Sequence, residues 1–221
     1  MKRARQSTLE FPEWGGARRG AGGKRRGKQK NVAHRERPVL ASRHPIHVTL
    51  RFEAGLESLR NRRTHRVVRD ALLAGGARFG ARIVHFAVMS NHIHLVCEAE
   101  DEQALTRAIK GLGVRIARGL NRLWQRTGRV IADRYHTHIL KTPLEVRRAL
   151  QYVLHNARQH GIWFAGPDPC SSGAWFDGWD QYIEPPGAWS ASPLPRARTW
   201  LLTIGWRRHG TIALAPPSRW A

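Results

Sequence analysis

The stretch SNHIHLV, Ser90 to Val96, sets His92 and His94 one residue apart among apolar neighbours, and RYHTHIL, Arg134 to Leu140, repeats the spacing with His136 and His138. Residues two apart in a strand project to the same face, so the two rings of either pair can converge on one cation. The same spacing also occurs where imidazoles only hydrogen-bond at a surface, so further donors must decide. A helix predicted over Leu144 to His160 offers them. Val146, Leu150, Val153 and Ala157 form its apolar stripe, while Tyr152, Asn156 and Gln159 share a flanking face, with Asn156 one turn beyond Tyr152. A phenol and an amide oxygen can then approach the histidines together. The alternative is a boundary tyrosine with its hydroxyl in water.

The elements that must position these groups are legible from periodicity. Ile46, Val48, Leu50 and Phe52 alternate with His47, Thr49 and Arg51, the period of a half-buried strand. Leu59 to Leu73 reads as a helix with a basic face, stopped by Gly75-Gly76. Arg82 to Met89 is a nearly continuous apolar run bounded by Gly80 and Ser90-Asn91, which reads as a central strand, and His92 to Glu98 follows it as the next strand. From Asp101 to Gln125, Leu105, Ile109, Leu112, Ile116, Leu120 and Leu123 recur at helical steps. Arg115, Arg118, Arg122 and Arg126 form a second stripe, turned from the apolar one and free to meet phosphates or solvent. Arg129 to Lys141 resembles a strand, and Thr142-Pro143 opens the helix that ends at Gly161. This order predicts an α+β domain whose mostly antiparallel sheet is packed by helices.

Of the two histidine pairs, His136 and His138 follow no apolar central strand and sit beside Asp133, Arg134 and Tyr135. A substrate-contacting rim or a solvated edge suits them better than a metal site. Tyr135 is a rival nucleophile, but it lacks a helical partner one turn away.

Lys and Arg number 38 against 16 Asp and Glu, a formal charge of +22, which points to a polyanionic partner, nucleic acid first. Residues 1–43 hold a Gly, Lys and Arg run, including Lys24, Arg25 and Arg26, without apolar periodicity; it is expected to be a disordered arm that tracks phosphates. Residues 162–221 are rich in Pro, Gly and Trp without a regular period and are expected to be an irregular extension packed loosely on the domain at 44–161. No window is apolar enough for a spanning helix or a signal peptide, so a cytoplasmic, nucleoid-associated protein is expected. Cys97 and Cys170 lie far apart with no CxxC spacing, which supports neither a zinc ribbon nor a disulfide framework.

The passage HFAVMSNHIHLVCEAED, the long basic helix, DRYHTHIL and LQYVLHNARQHG, in that order over about His44 to Gly161, resemble the catalytic domain of the single-tyrosine HUH transposases, in particular the REP-associated tyrosine transposases. The resemblance implies a ferredoxin-like, RRM-like HUH domain, with His92 and His94 as metal ligands, Tyr152 as the nucleophile and Asn156 as the third ligand. Members more often have Asn-Pro where this chain has Asn156-Ala157. It further implies a Mg2+ or Mn2+ ion, a 5′-phosphotyrosine intermediate, and single-stranded DNA, often hairpin-bearing element ends, as substrate. On that reading Arg115, Arg118, Arg122, Arg126, Arg134 and the arm grip phosphates, and a homodimer is one possible assembly. The rivals are a domesticated hairpin-binding protein that no longer cuts, a metal-dependent ribonuclease, and a basic structural protein.

Overall fold

The structure is a computed structural model and describes residues 39–184 and 194–215; Lys24, Arg25 and Arg26 of the basic arm lie outside the described residues. Five strands, β1 (Ile46–Arg51), β2 (Ala77–Arg78), β3 (Ala81–Val88), β4 (His92–Ala99) and β5 (His136–Ile139), form one sheet in the order β2-β3-β4-β1-β5. Every pairing is antiparallel. The centre of the sheet is thus β4, the strand carrying SNHIHLV, and not the apolar run before it.

Strand alternation divides the molecule into two layers. Ile46, Val48 and Leu50 of β1 and Ile93, Leu95 and Cys97 of β4 share a core with Val68 and Leu72 of α1 (Arg62–Gly75) and Leu105, Ile109, Leu112, Ile116 and Leu120 of α2 (Glu102–Leu123). The other face of β4 presents His92, His94, Val96 and Glu98. There Val84, Ala87 and Val96 pack against Val146, Leu150 and Val153 of α3 (Pro143–Leu154). A register shift between Ile83 and His85 lets β3 serve both layers.

Local signals set the helix ends. The Asn61 side chain accepts from Arg63 N, so α1 begins later than the expected Leu59. Asp101 caps α2, accepting from Ala104 N at 2.6 Å. Thr142 and Glu145 close a capping box ahead of Pro143. The predicted helix from Leu144 to His160 is broken: α3 stops at Leu154, His155 takes φ −101° and ψ 5°, and a short α4 (Asn156–Gln159) follows. Tertiary packing overrides the periodicity here, because the buried His155 ring is held 5.3 Å from that of Trp179. Likewise the expected strand from Arg129 to Lys141 shrinks to His136–Ile139, with a separate bridge between Phe52 and Ile131. Between them Asp133 accepts from Arg134 N at 2.7 Å, a local turn that competes with the ladder.

The described residues after Gly161 are mostly irregular, as expected, with only short helical turns, but they are not loosely held. Phe176, Trp179, Leu201, Leu202, Trp206, Ile212 and Leu214 complete the second core with α3. Trp206 is buried with its Nε1 donating to Leu202 O at 3.0 Å, and Gly178 lies so close beneath its ring that a Cβ would overlap it. The buried Glu98 carboxylate at the far end of β4 accepts from Arg198 N at 3.0 Å and Thr199 N at 2.7 Å, ahead of α5 (Trp200–Thr203), and pairs with Arg82 Nη1 at 3.0 Å. Arg60 and Asp168 tie the loop before α1 to this segment through two bonds of 2.8 Å, and Arg60 Nη1 also donates to Val88 O at 2.8 Å.

The Arg60 and Asp168 side chains are 12% and 3% exposed, so removing one partner strands the other charge out of water. Asp168→Ala is expected to destabilise the fold by about 3–5 kcal/mol, whereas Arg60→Met with Asp168→Ala recovers most of that loss. Urea denaturation of the two variants checks both halves.

Candidate functional site

His92 and His94 open β4, with ring centroids 4.7 Å apart. The turn before them is fixed by its backbone: Met89 N donates to His92 O, Phe52 N to Asn91 O and Leu59 N to Ser90 O, each at 2.9 Å. His92 is half-buried, with Nδ1 2.8 Å from Asn91 Oδ1, which leaves Nε2 as its free side. His94 is buried; its Nδ1 lies 3.0 Å from His47 Nε2 and 3.2 Å from Thr49 Oγ1, and its Nε2 has no partner.

From α3, the Tyr152 ring meets that of His94 edge-on at 5.1 Å and that of His47 at 5.7 Å. Tyr152 remains 40% exposed even though its ring packs on the histidines. Asn156 follows just past the break at His155 and is fully buried, and neither of its amide atoms meets a hydrogen-bond partner. It lies near enough to His92 to oppose the fall of that ring's pKa, though short of full hydrogen-bond geometry. His160 lies 6.1 Å from His92, centroid to centroid.

Burial sets the protonation of the cluster. It lowers His94 to about 3, aided by the fields of His47, His92, His160 and Arg51. Burial, then His138 and His136, bring His47 to about 4. His92 is lowered by burial, then by His160 and Arg51. At neutral pH these rings are uncharged bases with lone pairs to offer.

By donor chemistry, the unpartnered imidazole nitrogen of His94, the other nitrogen of His92 and an amide oxygen of Asn156 are groups that could contribute to holding a small hard cation that keeps waters of its own. Among the described residues no three His, Cys, Asp or Glu side chains are grouped to hold a metal. Two of the groups in this cluster were not singled out in the sequence. His47 and Thr49 alternate on the polar face of β1, and only the pairing of β1 with β4 reveals that this face looks onto His94.

The other sequence candidates fall elsewhere. His138 and His136 lie opposite His47 and Thr49 across the β1–β5 ladder, on the same face but exposed at the edge of the sheet. The Tyr135 hydroxyl is 2.9 Å from Thr106 Oγ1 of α2, in the opposite layer from Tyr152. Arg115, Arg118 and Arg122 line a cavity of 570 Å³ between α1 and α2 with Val67 and Asp70, also in that opposite layer. Arg126 lies past the end of α2, where its Nη2 donates to Arg129 O at 3.3 Å, and Arg134 is exposed in the loop before β5. The cation whose field reaches both histidines is Arg51, exposed at the end of β1.

The same buried rings predict a pH response. His47, His85 and His155 are each lowered to about 4, and His94 to about 3, with burial as the largest cause in each case. Between pH 6.5 and those values the unfolded chain binds protons that the folded chain refuses, so stability falls as pH falls. Thermal unfolding followed by circular dichroism is expected to show Tm dropping steeply between pH 6.5 and 4.5, before most carboxylates titrate.

No family model and no curated protein matches the chain. Among solved structures, a REP-associated tyrosine transposase bound to a REP hairpin superposes with a TM-score of 0.52 at 13% identity, over 64% of this chain and 82% of that one. The chain therefore shares that protein's α+β fold, with a five-stranded antiparallel sheet packed by helices. Among the described residues no helix is long and apolar enough to cross a membrane.

Proposed function

We propose that this protein is a single-tyrosine HUH transposase of the REP-associated kind, cutting and rejoining single-stranded DNA through Tyr152. The observation that carries this reading is the packing of the Tyr152 ring, 5.1 Å from that of His94, beside two buried donors with no partner, His94 Nε2 and the Asn156 amide. The fold shared with a hairpin-bound transposase supports the reading, as does a charge of +22.

A phenol has a pKa of about 10, so attack on phosphorus needs an acceptor for its proton and an electrophile made more reactive. Mg2+ or Mn2+ held by His92, His94 and Asn156 would supply Lewis-acid polarisation of the scissile phosphate. The protein's own part is geometric. The ring of Tyr152 is held edge-on against His47 and His94, the residue keeps part of its surface in solvent, and Arg51 adds positive field for a phosphate. In the step itself, Tyr152 Oη gives up its proton and bonds to phosphorus, the P–O3′ bond breaks, and the 3′ oxygen takes up a proton and leaves as a hydroxyl. One phosphodiester replaces another, so the reverse attack by a new 3′-hydroxyl reseals DNA without ATP.

The test uses single-stranded DNA from the sequence flanking the gene, including any inverted repeat found there, labelled at either end, with Mn2+. A 3′ label is expected to travel with the protein on a denaturing gel, and a 5′ label to appear on a shorter, 3′-hydroxyl-ended strand. Hairpin binding without either product would instead identify a domesticated, non-cutting relative.

A further inference from the structure

His94 can serve as a metal donor only if the right nitrogen carries its single proton. A neutral imidazole has one N–H and one lone pair, and the two candidates here have very different surroundings. Nδ1 has two possible acceptors, His47 Nε2 at 3.0 Å and Thr49 Oγ1 at 3.2 Å. Nε2 has none and is buried. A proton on Nε2 would therefore be shut away from water and from any acceptor, which is the costly arrangement for a polar group. A proton on Nδ1 has His47 Nε2 and Thr49 Oγ1 within reach to share it. Strand pairing makes this contact a fixed property of the sheet: Thr49 stands directly opposite His94 in the β1–β4 ladder, and His47, two residues earlier, projects from the same face.

We propose that His47 and Thr49 are positioning residues that accept from His94 Nδ1–H and so lock His94 in the tautomer whose Nε2 is an unprotonated donor. The metal consequence rests on the function proposed above; the tautomer itself does not. His47 must keep its own proton on Nδ1 to accept at Nε2, and His138, directly opposite it on β5, is the neighbouring ring across the ladder. His47 also touches the Tyr152 ring, so its loss could loosen the nucleophile; a loss of cleavage would therefore not distinguish the roles. The tautomer and the metal affinity do.

The measurement is long-range 1H–15N correlation of the histidine side chains in the full chain without metal, with His94→Ala to assign the ring, alongside titration with Mn2+ alone followed by electron paramagnetic resonance. Wild type is expected to show His94 protonated at Nδ1. His47→Ala is expected to shift His94 toward a tautomer mixture and to weaken Mn2+ binding about 10–100-fold, the usual scale for losing a partner of a ligating histidine. His47→Gln keeps an acceptor and is expected to restore most of the affinity, while Thr49→Val produces a smaller loss. Should His47→Ala fail to fold, the Gln and Val variants carry the comparison. A wild-type His94 protonated at Nε2, or tautomer and affinity unmoved in every variant, overturns the proposal. A wild type with the Nδ1–H tautomer but no Mn2+ binding supports the lock and removes the metal reading of the site.

Discussion

On the proposed mechanism Tyr152→Phe is expected to form no covalent DNA adduct and to release no strand with a 3′-hydroxyl, a loss on the order of 10⁴-fold or more, because it would remove the attacking oxygen. The substitution deletes one atom from a side chain that is already 40% exposed, and the ring contacts with His47 and His94 remain available to phenylalanine. Stability and hairpin binding should therefore match wild type, so the effect reads on chemistry alone. Tyr135→Phe is the matched control. Its hydroxyl bonds Thr106 in the α2 layer, and cleavage is expected to survive its loss. Equal adduct yield from wild type and Tyr152→Phe would sink the assignment.

Truncation after Gly161 is expected to abolish cooperative folding, although residues 44–161 contain every sheet strand and all the candidate ligands. The missing segment supplies Phe176, Trp179, Leu201, Leu202, Trp206, Ile212 and Leu214, all buried against α3 and the sheet. Burial of side chains of this size contributes about 1.5–3 kcal/mol each, so their sum reaches the whole net stability of a domain, about 5–15 kcal/mol. Loss of the segment would also leave Glu98 without the Arg198 and Thr199 amides it accepts from, and Arg60 without Asp168. The truncated chain should bind hydrophobic dye and give no sharp thermal transition; a cooperative melt near that of the full chain would show that the second core is dispensable.

The layered fold was legible wherever one residue pattern had one physical reading. Alternation at Ile46, Val48 and Leu50 and the helical recurrence from Leu105 to Leu120 fixed both the elements and their buried faces. Asp101, Thr142 and Pro143 marked helix starts by local chemistry that needs no tertiary partner. What escaped depended on distant contacts. The break at His155 follows from packing on Trp179, and the order of the tryptophan-rich segment follows from a core that its own sequence does not periodically announce. His92 and His94 could be paired because spacing puts them on one strand face, and Tyr152 joins them by the motif order that resembles the transposases. His47 could not, since only the β1–β4 register turns an ordinary polar strand position into a neighbour of His94.

One eight-residue strand, β4, holds imidazoles at its entrance and the Glu98 tether near its exit, all on one side, with Ile93, Leu95 and Cys97 on the reverse. Slipping its alignment by a single position would swap the two sets, driving histidines into oil and greasy side chains into the cleft. Misaligned molecules would then be unstable and would also lose the proposed site, so the hydrogen-bond ladder and the histidine cluster are set in the same moment of folding.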